Sequence, residues 1–220
     1  MTLSIAIPQY VKVHTRIHVC ICHALIMGML LSIPLACTPK PSPSAIPLYA
    51  QEQYIDGRVA LHGADDATAE TAARAAIAES PDFYDAHVLL AEALFRLKRE
   101  AEALASLDTA EQLNPARPTA WLLRGMARER GGDLPGAQEF YQRARDLYDT
   151  PKLEREQRLE FATASYLALG RLAGFQAIDP LLEANPEDQE AKVLRSQISQ
   201  DQRVFFLDRV SPRRSPGKKE

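Results

Sequence analysis

The sequence predicts an all-α fold, a solenoid of antiparallel helix pairs, and three observations predict it. Alanine is abundant and only 7% of the residues are aromatic, a composition that favours closely packed helices. In "YDAHVLLAEALFRL", residues 84–97, apolar side chains recur every three or four positions, as on one face of a helix. Pro81 and Pro115 lie 34 residues apart, and each closes a similar phrase, "AIAESP" and "AEQLNP".

Residues 1–36 have the pattern of a secretory signal. They contain Lys12 and Arg16 but no acidic residue, and residues 19–36, "VCICHALIMGMLLSIPLA", are almost wholly apolar. A basic region, an apolar region and a final small residue predict a signal peptide. About 18 apolar residues could also just span a bilayer, so a retained transmembrane anchor and a plain secreted protein are the alternatives.

The "PLAC" stretch at residues 34–37 resembles the lipobox of bacterial lipoproteins. Ala36 fits that motif, whereas Pro34 stands where the family favours leucine. The resemblance implies that Cys37 is acylated and becomes the first residue of the mature chain, and several acyl chains anchor a protein stably. Thr38 follows the cysteine where the enterobacterial inner-membrane signal has aspartate. The resemblance therefore implies the periplasmic face of the outer membrane rather than the inner membrane.

Residues 37–49 are predicted to be a linker between this anchor and the folded domain. The stretch "TPKPSPSAIP", residues 38–47, holds four prolines and two serines in ten residues. Such a segment is extended and acts as a semi-rigid spacer.

A register of 34 residues runs through the middle of the chain. With Pro115 at position 32, small residues occupy positions 8, 20 and 27 of two consecutive units: Ala91, Ala103, Ala110, Gly125, Ala137 and Ala144. Small residues at these positions let two helices of about 13 residues approach closely. The best unit, "WLLRGMARERGGDLPGAQEFYQRA" at residues 121–144, is similar to the tetratricopeptide repeat, although Leu123 stands one position early and Asp149 replaces the final proline.

The resemblance implies a right-handed superhelical solenoid over residues 50–207, with a capping helix at its end. Gly131 and Gly132 end one predicted helix, and Asp133 caps the next. Pro180 is expected to distort the eighth helix, and the apolar "VFFL" of residues 204–207 to close the last apolar face. The predicted helices lie near 50–62, 67–79, 83–97, 100–113, 118–130, 134–148, 152–169, 172–183 and 187–207.

The sequence carries no recognisable catalytic constellation, so we expect neither an enzyme nor a bound cofactor or metal. It has no phosphate-binding glycine loop, and no paired cysteines with metal-ligand spacing. After Cys37 the only histidines are His62 and His87, which suit a helix end and a packing position. Removal of residues 1–36 leaves 24 basic against 29 acidic residues, which argues against nucleic acid as a partner.

The resemblance implies a concave binding groove formed by the first helix of each pair. Its apolar strip, edged by charges, suits an extended peptide or an amphipathic helix. Chaperone-binding relatives use lysines and asparagines where Val88, Glu92, Leu122 and Met126 stand here, so chaperone tails are not expected. The alternative is that a short array curls and its own helices cover the strip. The groove residues are Tyr54, Arg58, Val88, Glu92, Phe95, Arg96, Leu122, Met126 and Glu129.

Residues 208–220 are predicted to be a disordered basic tail, because "RVSPRRSPGKKE" is rich in arginine, lysine and proline. Small tetratricopeptide lipoproteins that help to assemble pili, secretins or outer-membrane machines are similar in layout. The sequence therefore suggests a non-catalytic adaptor anchored in the cell envelope that binds another envelope protein or a peptide segment of one. The alternative is a structural accessory that links the membrane to the cell wall through this tail.

Overall fold

A computed structural model describes residues 45–148 and 152–211, which form ten α-helices and a short 3₁₀ turn at Asp208–Val210. The predicted signal peptide, Cys37 and the last basic residues lie outside the described residues. The helices are α1 (Leu48–His62), α2 (Asp66–Glu79), α3 (Tyr84–Arg96), α4 (Glu100–Leu113), α5 (Pro118–Arg130), α6 (Leu134–Asp146), α7 (Arg155–Leu169), α8 (Arg171–Ala184), α9 (Gln189–Gln200) and α10 (Val204–Leu207).

Consecutive helices pack as antiparallel pairs, α1 with α2, α3 with α4, α5 with α6 and α7 with α8. Each pair packs against the next, and α9 lies against α8 and α7 at the end of the array. This arrangement confirms the predicted all-α solenoid and its capping helix.

The small residues of the 34-residue register stand where helices approach most closely. A methyl group added at Gly125 would lie 2.6 Å from the ring of Tyr141, which is fully buried on the partner helix. At Gly57, one repeat length before Ala91, an added methyl group would lie 2.8 Å from Leu89. The register therefore reflects the volume available between helices.

Pro180 was expected to distort or shorten the eighth helix, and it lies inside α8, which runs over the predicted length. One helix prediction differs from the structure. The single helix predicted over 187–207 is split into α9 and α10, because Asp201 adopts a left-handed conformation with φ 56°. The Tyr166 hydroxyl holds this turn by donating a hydrogen bond to Asp201 at 3.1 Å.

The ordered domain also extends beyond its predicted limits of 50 and 207. Helix α1 begins at Leu48, within the predicted linker. At the other end, residues assigned to a disordered tail form the 3₁₀ turn, in which Val210 is fully buried. The turn is ordered because it packs against α3 and α5.

Candidate functional site: the concave groove

The concave face contains a groove of about 820 Å³ lined by the first helices of all four pairs, by α9 and by Phe205, Phe206 and Arg209. Helical periodicity brings side chains at intervals of three and four residues to this face. The structure thus brings together seven of the nine predicted groove residues: Tyr54, Arg58, Val88, Glu92, Arg96, Leu122 and Met126.

The other two predicted residues, Phe95 and Glu129, do not line this open cavity. They lie under residues 203–211, which we call the C-terminal segment. In this segment α10 packs against α5, and the 3₁₀ turn packs against α3 and α5. We therefore distinguish a covered part of the groove, formed by Glu92, Phe95 and Glu129, from an open part, formed by Tyr54, Ile55, Arg58, Val59 and Val193.

Phe95 belongs to the core, so its placement in an accessible groove is wrong. Its side chain is 0% exposed. The guanidinium carbon of Arg130 lies 5.6 Å from the centre of the Phe95 ring, and Arg130 donates a 2.5 Å hydrogen bond to the carbonyl oxygen of Val210. The C-terminal segment covers this part of the face, whereas the alternative expected from the sequence was a curled array whose own helices cover the strip.

Glu129 is held by three donated hydrogen bonds and is not presented to the groove. Arg203 donates two of them, at 2.5 and 2.7 Å, and the Tyr141 hydroxyl donates the third at 2.7 Å. Burial raises the pKa of Glu129, but Arg203 and Tyr141 outweigh burial and lower the pKa below its ordinary value. This carboxylate therefore fixes the start of the C-terminal segment.

Glu92 lies at the boundary between the two parts of the groove and is only 4% exposed. Arg209 donates a hydrogen bond to its carboxylate at 2.5 Å and lies 3.5 Å from Glu160. Burial raises the pKa of Glu92, but Arg209, helped by Arg58 and Arg96, lowers it below its ordinary value. Glu92 and Glu129 in the covered part therefore each accept hydrogen bonds from an arginine of the C-terminal segment.

Other predicted residues of the groove also have partners within the fold. Arg96 donates to the carbonyl oxygen of Leu61 at 2.9 Å and lies 3.7 Å from Asp66, which ties α3 to the first pair. The ring of Tyr54 packs against Phe83 with centroids 5.3 Å apart. Val88, Leu122 and Met126 form the groove floor and are almost fully buried.

The open part of the groove has apolar edges. Ile55 and Val59 on α1 are 57% and 66% exposed, and Val193 on α9 is 55% exposed. All three line the groove, between polar residues such as Arg58 and Glu190. These edges were not predicted from the sequence, because Ile55 and Val59 stand outside the concave positions of the repeat and Val193 lies beyond the first three helix pairs.

Sequence analysis also missed the groove residues of the C-terminal segment. Arg203, Phe206 and Arg209 are spaced three residues apart and all point to the solenoid, where Phe206 lies 4.9 Å from the ring of Tyr166. The spacing was a usable signal, because residues three apart share one face of a helix. The apolar "VFFL" was expected to close the last apolar face of the array, whereas its Phe206 packs on Tyr166 and α10 packs on α5. Arg209 was assigned to a disordered tail, and Arg203 was placed in the predicted final helix without a partner.

Residues 45–148 and 152–211 contain no cluster of three or more histidine, cysteine, aspartate or glutamate residues that could hold a metal ion. None of the helices in these ranges is both long enough and apolar enough to cross a bilayer.

Comparisons with known proteins agree with this architecture. The model of a family described as tetratricopeptide repeat matches residues 65–127. A comparison with curated proteins finds no match.

Two solved structures with a similar fold are a thermophilic tetratricopeptide-repeat protein of Thermus thermophilus and PilF of Pseudomonas aeruginosa. The first has 22% identity and a TM-score of 0.53, with 70% of this chain and 83% of that chain covered. The second has 15% identity and a TM-score of 0.50, with 73% of this chain and 72% of that chain covered. At such identities the likeness concerns the fold. Residues 65–127 thus match a tetratricopeptide-repeat family model, and the helical domain is similar in fold to solved tetratricopeptide-repeat proteins.

Proposed function

We propose that this protein is a non-catalytic adaptor that binds a segment of another protein in the open part of its concave groove. The observation that carries the proposal is the groove of about 820 Å³ with exposed apolar side chains on its first and last lining helices. Apolar side chains that line a concavity and remain in water are typical of surfaces that a partner covers.

The chemistry of the open part suits an amphipathic partner. Ile55, Val59 and Val193 supply apolar contacts, whereas Arg58 and the Arg155-bound Glu190 supply charges at the rim. An apolar centre with a polar rim fits either an amphipathic helix or an extended peptide with alternating apolar side chains.

We also propose that the adaptor works in the cell envelope, anchored by lipid on Cys37 to the periplasmic face of the outer membrane. The support is the basic and apolar leader, the small residue before Cys37 and the proline-rich linker after it. In this setting the partner is another envelope protein, such as a component of a pilus, secretin or outer-membrane assembly.

Crosslinking in cells followed by affinity purification tests the adaptor proposal. The test variant is Ile55→Glu with Val59→Glu, because both residues line the groove and are exposed enough to be replaced without unfolding the domain. The matched control is Leu172→Glu, which is 71% exposed but does not line the groove. We expect a partner that the wild type and the control recover and the groove variant loses. Equal recovery by both variants would reject the open part as the binding surface.

The alternative is a structural link between membrane and cell wall through the basic tail. Arg209 is committed to Glu92, so this role would fall to Arg213, Arg214, Lys218 and Lys219. A chain that ends at residue 211 separates the two functions. If the protein is a structural link, this truncated chain should lose its association with the cell wall. If it is an adaptor, the truncated chain should still bind its partner.

A further inference from the structure

We infer that the covered part of the groove is a binding site for a short helix with the pattern Arg-x-x-Phe-x-x-Arg. The C-terminal segment of this chain, residues 203–211, occupies this site until a partner segment of the same chemistry replaces it. The inference rests on the proposed function, because it names the chemistry of a partner for the same groove.

The charges of the site determine what it accepts. Glu129 on α5, Glu92 on α3 and Glu160 on α7 converge on the C-terminal segment from three different helices. The side chains of Glu129 and Glu92 are 11% and 5% exposed, and a carboxylate buried to that degree requires a cationic partner. Arg203 and Arg209 meet this requirement, one at each end of the segment. An acidic or neutral segment would leave Glu129 with only the hydrogen bond from Tyr141, and would remove from Glu92 its hydrogen-bonded arginine.

The site also has an apolar contact between the two arginines and a backbone hydrogen bond just after the second one. Phe206 is buried against Tyr166, and Val210 is fully buried. Arg130, itself paired with Glu100 at 2.6 Å, donates a hydrogen bond to the carbonyl oxygen of Val210. The site therefore accepts one aromatic side chain between two arginines and holds the backbone that follows.

The present occupant has features of a replaceable ligand. It consists of a four-residue helix and a 3₁₀ turn, and an isolated helix of that length is not stable in water. Its Val204 is 62% exposed, and its Phe205, which lines the groove, is 38% exposed, so part of the segment remains uncovered. A segment tethered in the same chain competes at a millimolar effective concentration, which weakens the apparent affinity for a free segment.

A fluorescence-anisotropy titration tests the inference with a labelled peptide of residues 199–211, "SQDQRVFFLDRVS". The purified full chain is compared with a variant carrying Arg203→Ala, Phe206→Ala and Arg209→Ala, which empties the site. We expect this variant to bind the peptide at least about tenfold more tightly than the wild type. A peptide with both arginines changed to glutamate should not bind. Phe206→Ala alone, a smaller change, should give an intermediate affinity.

Several outcomes would overturn the inference. A variant with intact helical circular dichroism that fails to bind the peptide shows that the site does not accept this chemistry. If the peptide with glutamates in place of both arginines binds as tightly as the unchanged peptide, the glutamates of the site do not select a cationic segment. If the wild type is a dimer and the triple variant is a monomer, the segment binds a second copy of the chain instead. The variant Ile55→Glu with Val59→Glu should bind the peptide with the same affinity as the wild type, because both residues lie in the open part. Failure of the adaptor proposal is therefore distinguishable from failure of the inference about the covered part.

Discussion

The covered and open parts of the groove lie on the same concave face and yet have opposite character. In the covered part, Phe95 is fully buried and Glu92 and Glu129 are neutralised by arginines from the C-terminal segment. In the open part, Ile55 and Val59 keep more than half of their surface in water. Side chains on one concave face therefore differ in burial, because Phe95 belongs to the core whereas Ile55 and Val59 remain at the surface.

The path of the chain after α9 explains the difference. The turn at Asp201 sends the C-terminal segment across α7, where Arg203 donates to the carbonyl oxygen of Leu167 at 3.1 Å. It then follows α5 and reaches α3, where Arg209 meets Glu92. The described segment ends at Ser211, and α1 keeps its apolar edge uncovered.

The largest expected effect comes from truncating the core of the covered part. Phe95→Ala should lower the free energy of unfolding by about 3–5 kcal/mol, because it leaves a cavity under the C-terminal segment. Urea denaturation followed by circular dichroism measures the loss. A decrease below about 1 kcal/mol would show that Phe95 is accessible in solution, and the comparison between the two parts would fail.

The second effect concerns the buried charge pair. Glu92→Gln should cost about 2 kcal/mol of unfolding free energy, because Arg209 would keep its charge and lose its nearest carboxylate. The matched control is Glu190→Gln in the open part, whose carboxylate is 68% exposed and pairs with Arg155; it should change stability by less than about 0.5 kcal/mol. Equal effects of the two changes would contradict the assignment of Glu92 to a covered site.

The pH dependence tests the same contrast. The folded-state pKa of Glu92 lies below its ordinary value of 4.5, so its ion pair contributes stability above that pH and loses it as the pH falls. At neutral pH the free energy of unfolding of the wild type should exceed that of Glu92→Gln by roughly 2 kcal/mol. This excess should decrease as the pH falls from about 6 to about 3. Urea titrations of both proteins at several pH values measure it. A constant difference would mean that the Glu92 carboxylate contributes nothing through its charge.

The smallest effect is expected at the open edge. Ile55→Ser should change the free energy of unfolding by less than about 0.5 kcal/mol, because the side chain is 57% exposed. Differential scanning calorimetry of the variant beside the wild type measures the shift. A loss above about 1.5 kcal/mol would indicate that another segment covers this edge.

The repeat register was predictable from the sequence because it depends on local spacing and side-chain volume. Gly125 faces Tyr141 across one helix pair, only 16 positions along the chain, and the pattern of small and large residues records that contact directly. Asp133 likewise caps α6 by accepting a hydrogen bond from Gly136, three residues away.

Local spacing and side-chain volume did not predict which part of the groove is covered. The residues of the concave face follow from helix periodicity, and seven of the nine predicted residues do line the groove. The exclusion of Phe95 and Glu129 depends on a segment that returns from the far end of the domain. Neither repeat spacing nor helix propensity contains that path.

The helix pairs, their register and the face that becomes concave are thus specified by the amino-acid sequence alone, because each follows from contacts within one or two repeats. Which part of that face stays open depends on the tertiary structure. Arg209 and Glu92 are 117 residues apart in the chain, and Arg203 and Glu129 are 74 apart. Such contacts form only when the solenoid has curved and the chain end has turned back onto it, so no local pattern specifies them.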